Sequence, residues 1–143
     1  MHKTKVALGF AMEAIRFYEN YLGVKYPFPK LDMVAIPGYD RNTMEHLGVV
    51  SFGEMDMLAD PHSSPELRLE IKRTIAHEFA HQWFGNLVMV RDWGAIWLSE
   101  GVATFLSSKA LGEESSAIII SYSGYSSLLM LASVAFTTSI GSL

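Results

Sequence analysis

Apolar positions in the first part of the chain recur at helical spacing, with Ala7, Ala11, Ala14, Ile15, Tyr18 and Leu22 on one stripe. The pattern predicts a helix from Thr4 to about Leu22, capped by Gly23 and barred from continuing by Tyr26-Pro27-Phe28-Pro29. Leu31 to Ile36 reads as a short, mostly buried strand ended by Pro37-Gly38, and Glu45 to Phe52 as a second strand. Gly38 to Thr43 between them is a polar loop. A further loop, Pro61 to Pro65, offers Ser63 and Ser64 as caps for a long helix from Pro65 to about Phe84. Leu67, Ile71, Ile75 and Phe79 form the stripe this helix should bury, and Gly85 follows its end. A third helix is expected from about Gly94 to Leu111, with Ile96, Trp97, Val102, Phe105 and Leu106 apolar and Gly112 after it.

From Ser115 to Leu143 the pattern changes: 29 residues pass without a charge, and nine of them are Ser. The chain therefore divides into a core, residues 1–114, and an uncharged, helical tail, residues 115–143. The tail is long enough to cross a bilayer. Its Ser content, with Gly124 and Gly141, favours a helix that packs against protein.

The 143 residues suit one domain, and half of them are hydrophobic with 18% charged, which excludes a disordered chain. The formal charge is −4 and there is no long Lys/Arg run, so nucleic acid is not an expected partner. Without Cys there is neither a disulfide framework nor a thiolate metal site. Any metal must be held by His, Asp or Glu. The start, Met1-His2-Lys3-Thr4-Lys5, leads into an amphipathic pattern and not into the apolar core of a signal peptide.

The long helix carries His77-Glu78-Phe79-Ala80-His81. Histidines at i and i+4 lie one turn apart on one face, so both imidazoles can reach a single ion. Glu78 can then point its carboxylate at a metal-bound water. Neutral imidazole with carboxylate oxygen suits Zn²⁺, and a catalytic zinc takes three protein ligands and keeps one position open. Glu100, in the middle of the third helix, is the natural third ligand: Trp97 and Ala103 flank it on a face expected to be buried, where an unpaired carboxylate is costly. The alternative is a pair of ordinary surface histidines. Chance occurrence of the five-residue pattern at this composition is roughly 0.01, and on the order of 0.001 with Glu100 required as well.

Together, His77-Glu78-Phe79-Ala80-His81-Gln82-Trp83-Phe84-Gly85-Asn86 and Trp97-Leu98-Ser99-Glu100-Gly101 resemble the zinc aminopeptidases of the aminopeptidase N family, which are gluzincins. Tyr26-Pro27-Phe28-Pro29-Lys30-Leu31-Asp32 is similar to the stretch preceding their active site. The resemblance implies an α+β, mainly α fold: a thermolysin-like zinc metallopeptidase core with a small sheet near 31–52 and two metal-binding helices. It implies one Zn²⁺ on His77, His81 and Glu100, with Glu78 as general base. The family's Gly-x-Met-Glu-Asn segment, which binds the substrate's amino group, is matched by Asn42-Thr43-Met44-Glu45-His46. Glu45 would pair with the α-ammonium, and the backbone at Met44 would meet the peptide. Asn42 and His46 replace the family's Gly and Asn; the alternative for Glu45 is a solvated strand-end carboxylate. Ile120-Ser121-Tyr122-Ser123-Gly124 looks like the surroundings of the family's oxyanion-binding Tyr, although Tyr122 follows Glu100 more closely than the family places it.

The expected function is hydrolysis of the N-terminal peptide bond of peptides. The competing readings are a truncated, weak or inactive peptide-binding form and a zinc endopeptidase. The expected partners are peptide substrate and the flanking domains of a larger enzyme, with membrane contact left open. Family members are cytoplasmic or membrane-associated. Trp83, Trp93 and Trp97 read as core aromatics more readily than as pocket lining. Thr104, one turn beyond Glu100, is a candidate partner for a ligand, although a helix Thr needs no such role.

Overall fold

The computed structural model describes residues 3–39, 42–60 and 62–112. The element order is α1 (Lys3–Leu22), β1 (Asp32–Ile36), β2 (Thr43–Met44), β3 (Val49–Gly53), α2 (Glu54–Met57), α3 (Pro65–Ala80) and α4 (Ile96–Ala110), with a 3-10 turn at Trp93–Ala95 leading into α4. The architecture is α+β and mainly helical, with a three-stranded sheet, as expected. The tail 115–143, with Tyr122, lies outside the described residues.

The amphipathic stripe of α1 forms as read: Ala7, Ala11, Ala14 and Tyr18 are its buried positions. Three alanines leave a low ridge that lets another helix approach closely, and α3 packs there. Gly23, at φ 68°, takes the left-handed conformation that ends the helix. Tyr18 is fully buried, so its hydroxyl needs a partner, and it donates to the carbonyl of Ala76 at 2.7 Å. Burial pushes its phenol pKa far up, which keeps it protonated as a donor. Tyr18, Phe52, Ile71, Ile75, Phe79 and Leu106 are the largest fully buried apolar side chains of the core. Burying each contributes about 1.5–3 kcal/mol.

The sheet has the order β1-β3-β2. β1 runs parallel to β3, with Asp32 opposite Val49, and β2 runs antiparallel, with Thr43 opposite Phe52. β1 was expected to be mostly buried; instead it alternates between exposed and half-buried, with Val34 43% exposed. The cause is topological. β1 is an edge strand, and β3 takes the central position with Val50 and Phe52 fully buried. The second expected strand begins at Val49 and not at Glu45. Gly48 sits at φ 82° and Val49 N–H donates to His46 C=O at 3.1 Å, so residues 46–49 form a turn.

Ser64 caps α3 by accepting from Leu67 N–H at 3.2 Å, with Pro65 at the first helical position. Ile71, Ile75 and Phe79 are buried as expected, but Leu67 is exposed. The α-helical run stops at Ala80, short of the expected Phe84. The N–H groups of Gln82 and Trp83 bond back three residues, to Phe79 and Ala80, and tighten the turn. Of the tryptophans, Trp83 joins the core and donates to Val24 C=O at 3.1 Å, while Trp93 is 85% exposed and outside it.

Candidate metal centre

Two elements carry the ligand candidates, and the turn between them sets their spacing. His81 lies just past the end of α3, yet its backbone stays helical at φ −61° and ψ −20°. The one-turn offset from His77 therefore survives the early helix end. Gly85, at φ 117°, donates its N–H to Val88 C=O at 2.9 Å within the loop that returns the chain to α4. A Cβ at Gly85 would lie 2.9 Å from Ser99 Oγ and 3.0 Å from His81 Nδ1, so this close crossing admits only glycine.

Three side chains converge. His77 Nε2 and His81 Nε2 are 3.1 Å apart, Glu100 Oε2 is 3.3 Å from His77 Nε2, and Glu100 Oε1 is 3.5 Å from His81 Nε2. An ion held tetrahedrally at 2.0–2.1 Å requires ligand atoms ~3.4 Å apart. The three separations bracket that value, so these residues fit a zinc ion. Among the described residues, this is the grouping of His and carboxylate side chains able to hold a metal.

The residues behind the ligands fix the ring orientations. His81 Nδ1–H donates to Phe84 C=O at 2.9 Å, which leaves the Nε2 lone pair facing Glu100 and His77. Ser99 Oγ donates to the same carbonyl at 3.2 Å and so ties α4 to the loop. Thr104 Oγ1 stands 3.5 Å from His77 Nδ1, at the outer limit of a hydrogen bond.

Glu100 was expected on a buried face; its side chain is 52% exposed. It stands at the open side of the cluster, where both histidines supply the compensation that burial would have demanded. Their hydrogen bonds and charges hold its pKa far below the usual carboxylate range. At His81, burial pulls the imidazole pKa down, but the hydrogen bond and charge of Glu100 outweigh it, and the net shift is upward.

Glu78 is 5% exposed, and burial raises its pKa against the opposing effects of a Thr43 hydrogen bond and the neighbouring histidines. The charge of Glu45 adds to that rise and also raises His81, which places Glu45 within electrostatic reach of both. Its position is held through its backbone. Glu45 C=O accepts from Asn86 Nδ2 at 2.7 Å and from Gln82 Nε2 at 3.2 Å. Fully buried Gln82 also bonds His46 C=O at 3.4 Å, and its Oε1 accepts from Gly48 N–H at 3.1 Å and Tyr26 O–H at 3.3 Å. Sequence reasoning gave Gln82, Asn86 and Thr43 no role of their own, and Gly85 only that of following the helix end. The available signal was polar and glycine residues directly after a histidine pair on a helix with a buried stripe.

The chain matches the Peptidase family M1 domain over residues 6–138. It is 44% identical over 111 residues to "Probable aminopeptidase 2" of Sulfurisphaera tokodaii, a match covering 78% of this chain and 14% of the relative. It is 46% identical over 105 residues to "Endoplasmic reticulum aminopeptidase 2" of Bos taurus, covering 73% of this chain and 11% of that protein. "Leucyl aminopeptidase" of Saccharolobus solfataricus is 39% identical over 113 residues, 79% of this chain and 14% of the relative. The chain thus spans a small part of each of these proteins. With the domain match running through both histidines and the facing carboxylate, the chain belongs to peptidase family M1, the aminopeptidase N family that its motifs resemble.

Proposed function

We propose that this chain is the catalytic core of a zinc-dependent aminopeptidase that removes the N-terminal residue of peptides, within a thermolysin-like arrangement. The observation that carries the reading is the convergence of His77 Nε2, His81 Nε2 and the Glu100 carboxylate at tetrahedral spacing beside the buried Glu78. Zn²⁺ held by these residues supplies Lewis acidity that acidifies a water and polarises the scissile carbonyl. Glu78 takes the proton of the attacking water and hands it to the departing amine, a role served by a carboxyl whose pKa is raised by burial. Glu45 pairs with the substrate α-ammonium, so that the first peptide bond is the one presented for attack. Gln82 and Asn86 hold the Glu45 backbone for that purpose. By family resemblance, Tyr122 donates to the developing oxyanion. Flanking domains complete the enzyme, in keeping with the 11% and 14% of the relatives' lengths that the chain spans. The compartment follows the family's alternatives, cytoplasm or membrane association; no described helix is long and apolar enough to cross a membrane.

A second reading, a peptide-binding form without hydrolysis, is favoured by Asn42 and His46 at positions where the family motif has Gly and Asn. Hydrolysis of an aminoacyl amide with a free amine, compared with its N-acetylated form, separates the readings. The aminopeptidase cleaves the free amine alone. Cleavage of the blocked amide indicates an endopeptidase, and cleavage of neither a binding form. Glu78→Gln should retain zinc and lower turnover by about 10²–10⁴-fold; full turnover in that variant removes Glu78 from the role of base.

A further inference from the structure

Thr43 stands opposite Phe52 in the short β2–β3 pairing, and Gly53 N–H donates to Asn42 C=O at 2.8 Å beside it. The position is thus set by main-chain bonds to the central strand. From there Thr43 Oγ1 donates to Glu78 Oε1 at 2.7 Å, a contact between residues 35 positions apart. Glu78 is 5% exposed, so water competes little for that oxygen. One carboxylate oxygen is held while Oε2 stays open to exchange a proton. Thr43 is also two residues before Glu45, whose carbonyl is clamped by Asn86 and Gln82.

We propose that Thr43 is a positioning residue that fastens the Glu78 carboxylate to the strand leading into Glu45, so that base and amine-binding residue are seated by one element. The proposal rests on the aminopeptidase reading. A single hydroxyl donor fixes the rotation of the carboxylate without competing for the proton-accepting oxygen, and a hydrocarbon of the same shape would leave the carboxylate free to turn away from the water. The effect belongs to the chemical step: Thr43 acts on the base, while substrate binding is carried by Glu45 and metal binding by His77, His81 and Glu100.

The test uses the zinc-loaded full chain. Thr43→Val should lower kcat about tenfold, with KM within about twofold and zinc content unchanged, and Thr43→Ser should restore kcat to within about twofold. An unchanged kcat in Thr43→Val, a Thr43→Ser as slow as Thr43→Val, or a loss confined to KM overturns the proposal. A stability cycle reads the contact without turnover. Thr43→Val should lower the melting temperature by about 3 °C in the parent chain and have little effect on a Glu78→Ala background. Equal shifts on both backgrounds overturn the contact. A chain that binds zinc and shows this coupling but cleaves no amide overturns the aminopeptidase reading instead.

Discussion

Residues 77–100 and residues 42–48 meet at the candidate site, but different forces hold them. The ligand cluster follows from helical repetition: His77 and His81 are one turn apart, and α4 presents Glu100 to them across a loop closed at Gly85. The 42–48 segment has two residues of strand, then a turn, and is positioned by side chains of the other region reaching its backbone. Gln82 and Asn86 bond the carbonyls of Glu45 and His46 and the N–H of Gly48. The spacing within the first region follows from local geometry. The second is paired to β3 at its start and clamped by side chains of the first from Glu45 to Gly48, so the order of that part should depend on Gln82 and Asn86.

That asymmetry is open to direct attack. The largest effect should come from His81→Ala, which takes zinc from stoichiometric to none by metal analysis; zinc retained at full occupancy would remove the cluster from its role. Gly85→Ala comes next. It forces a side chain into a positive φ against His81 Nδ1 and Ser99 Oγ. Stability should fall by about 1–3 kcal/mol in urea unfolding, and zinc affinity by about tenfold or more. Gln82→Leu should spare the metal and damage the second region. The loss of buried hydrogen bonds costs about 1–3 kcal/mol, and KM for a free aminoacyl amide should rise about tenfold at unchanged zinc content. If zinc and KM moved together, the two regions would not be separable. The mildest perturbation is acidification. A proton on His81 removes the lone pair a metal needs, and Glu100 raises that residue's pKa. Protons compete with the ion for the imidazole, so zinc affinity should weaken as pH drops, as followed by dialysis against a competing chelator at stepped pH. An affinity that does not change with pH would contradict this.

The same division decides what could be read from the sequence. Periodicity located α1 nearly to the residue, because Ala7, Ala11, Ala14 and Tyr18 repeat at helical spacing with Gly23 as a stop. It also located the long helix and set His77 and His81 on one face, since i and i+4 on a helix is a geometric statement; Glu100 converges on them from α4. The exposure of β1 was not legible: a run such as Met33-Val34-Ala35-Ile36 carries no mark of being an edge, and strand order is settled by distant pairing. The strand expected from Glu45 gave way to the turn at Gly48. Glu100 was placed on a buried face because apolar neighbours at i−3 and i+3 bracket it, but the two histidines stabilise its charge at the surface instead. The roles of Gln82 and Asn86 were hidden because their partners are backbone groups about 40 residues away, and main-chain carbonyls leave no trace in sequence.

The buried hydroxyl of Tyr18 reaches Ala76 C=O, the peptide unit immediately before His77, and Trp83 Nε1–H, two residues past His81, reaches Val24 C=O. The histidine turn is therefore braced on both sides by the first 24 residues, the part of the molecule most distant from it in sequence. Excision of 65–112 as a minimal metal-binding peptide would keep every ligand and lose both braces. The smallest unit that can hold the site in shape begins with α1, and the boundary of the centre is set by its supports and not by its ligands.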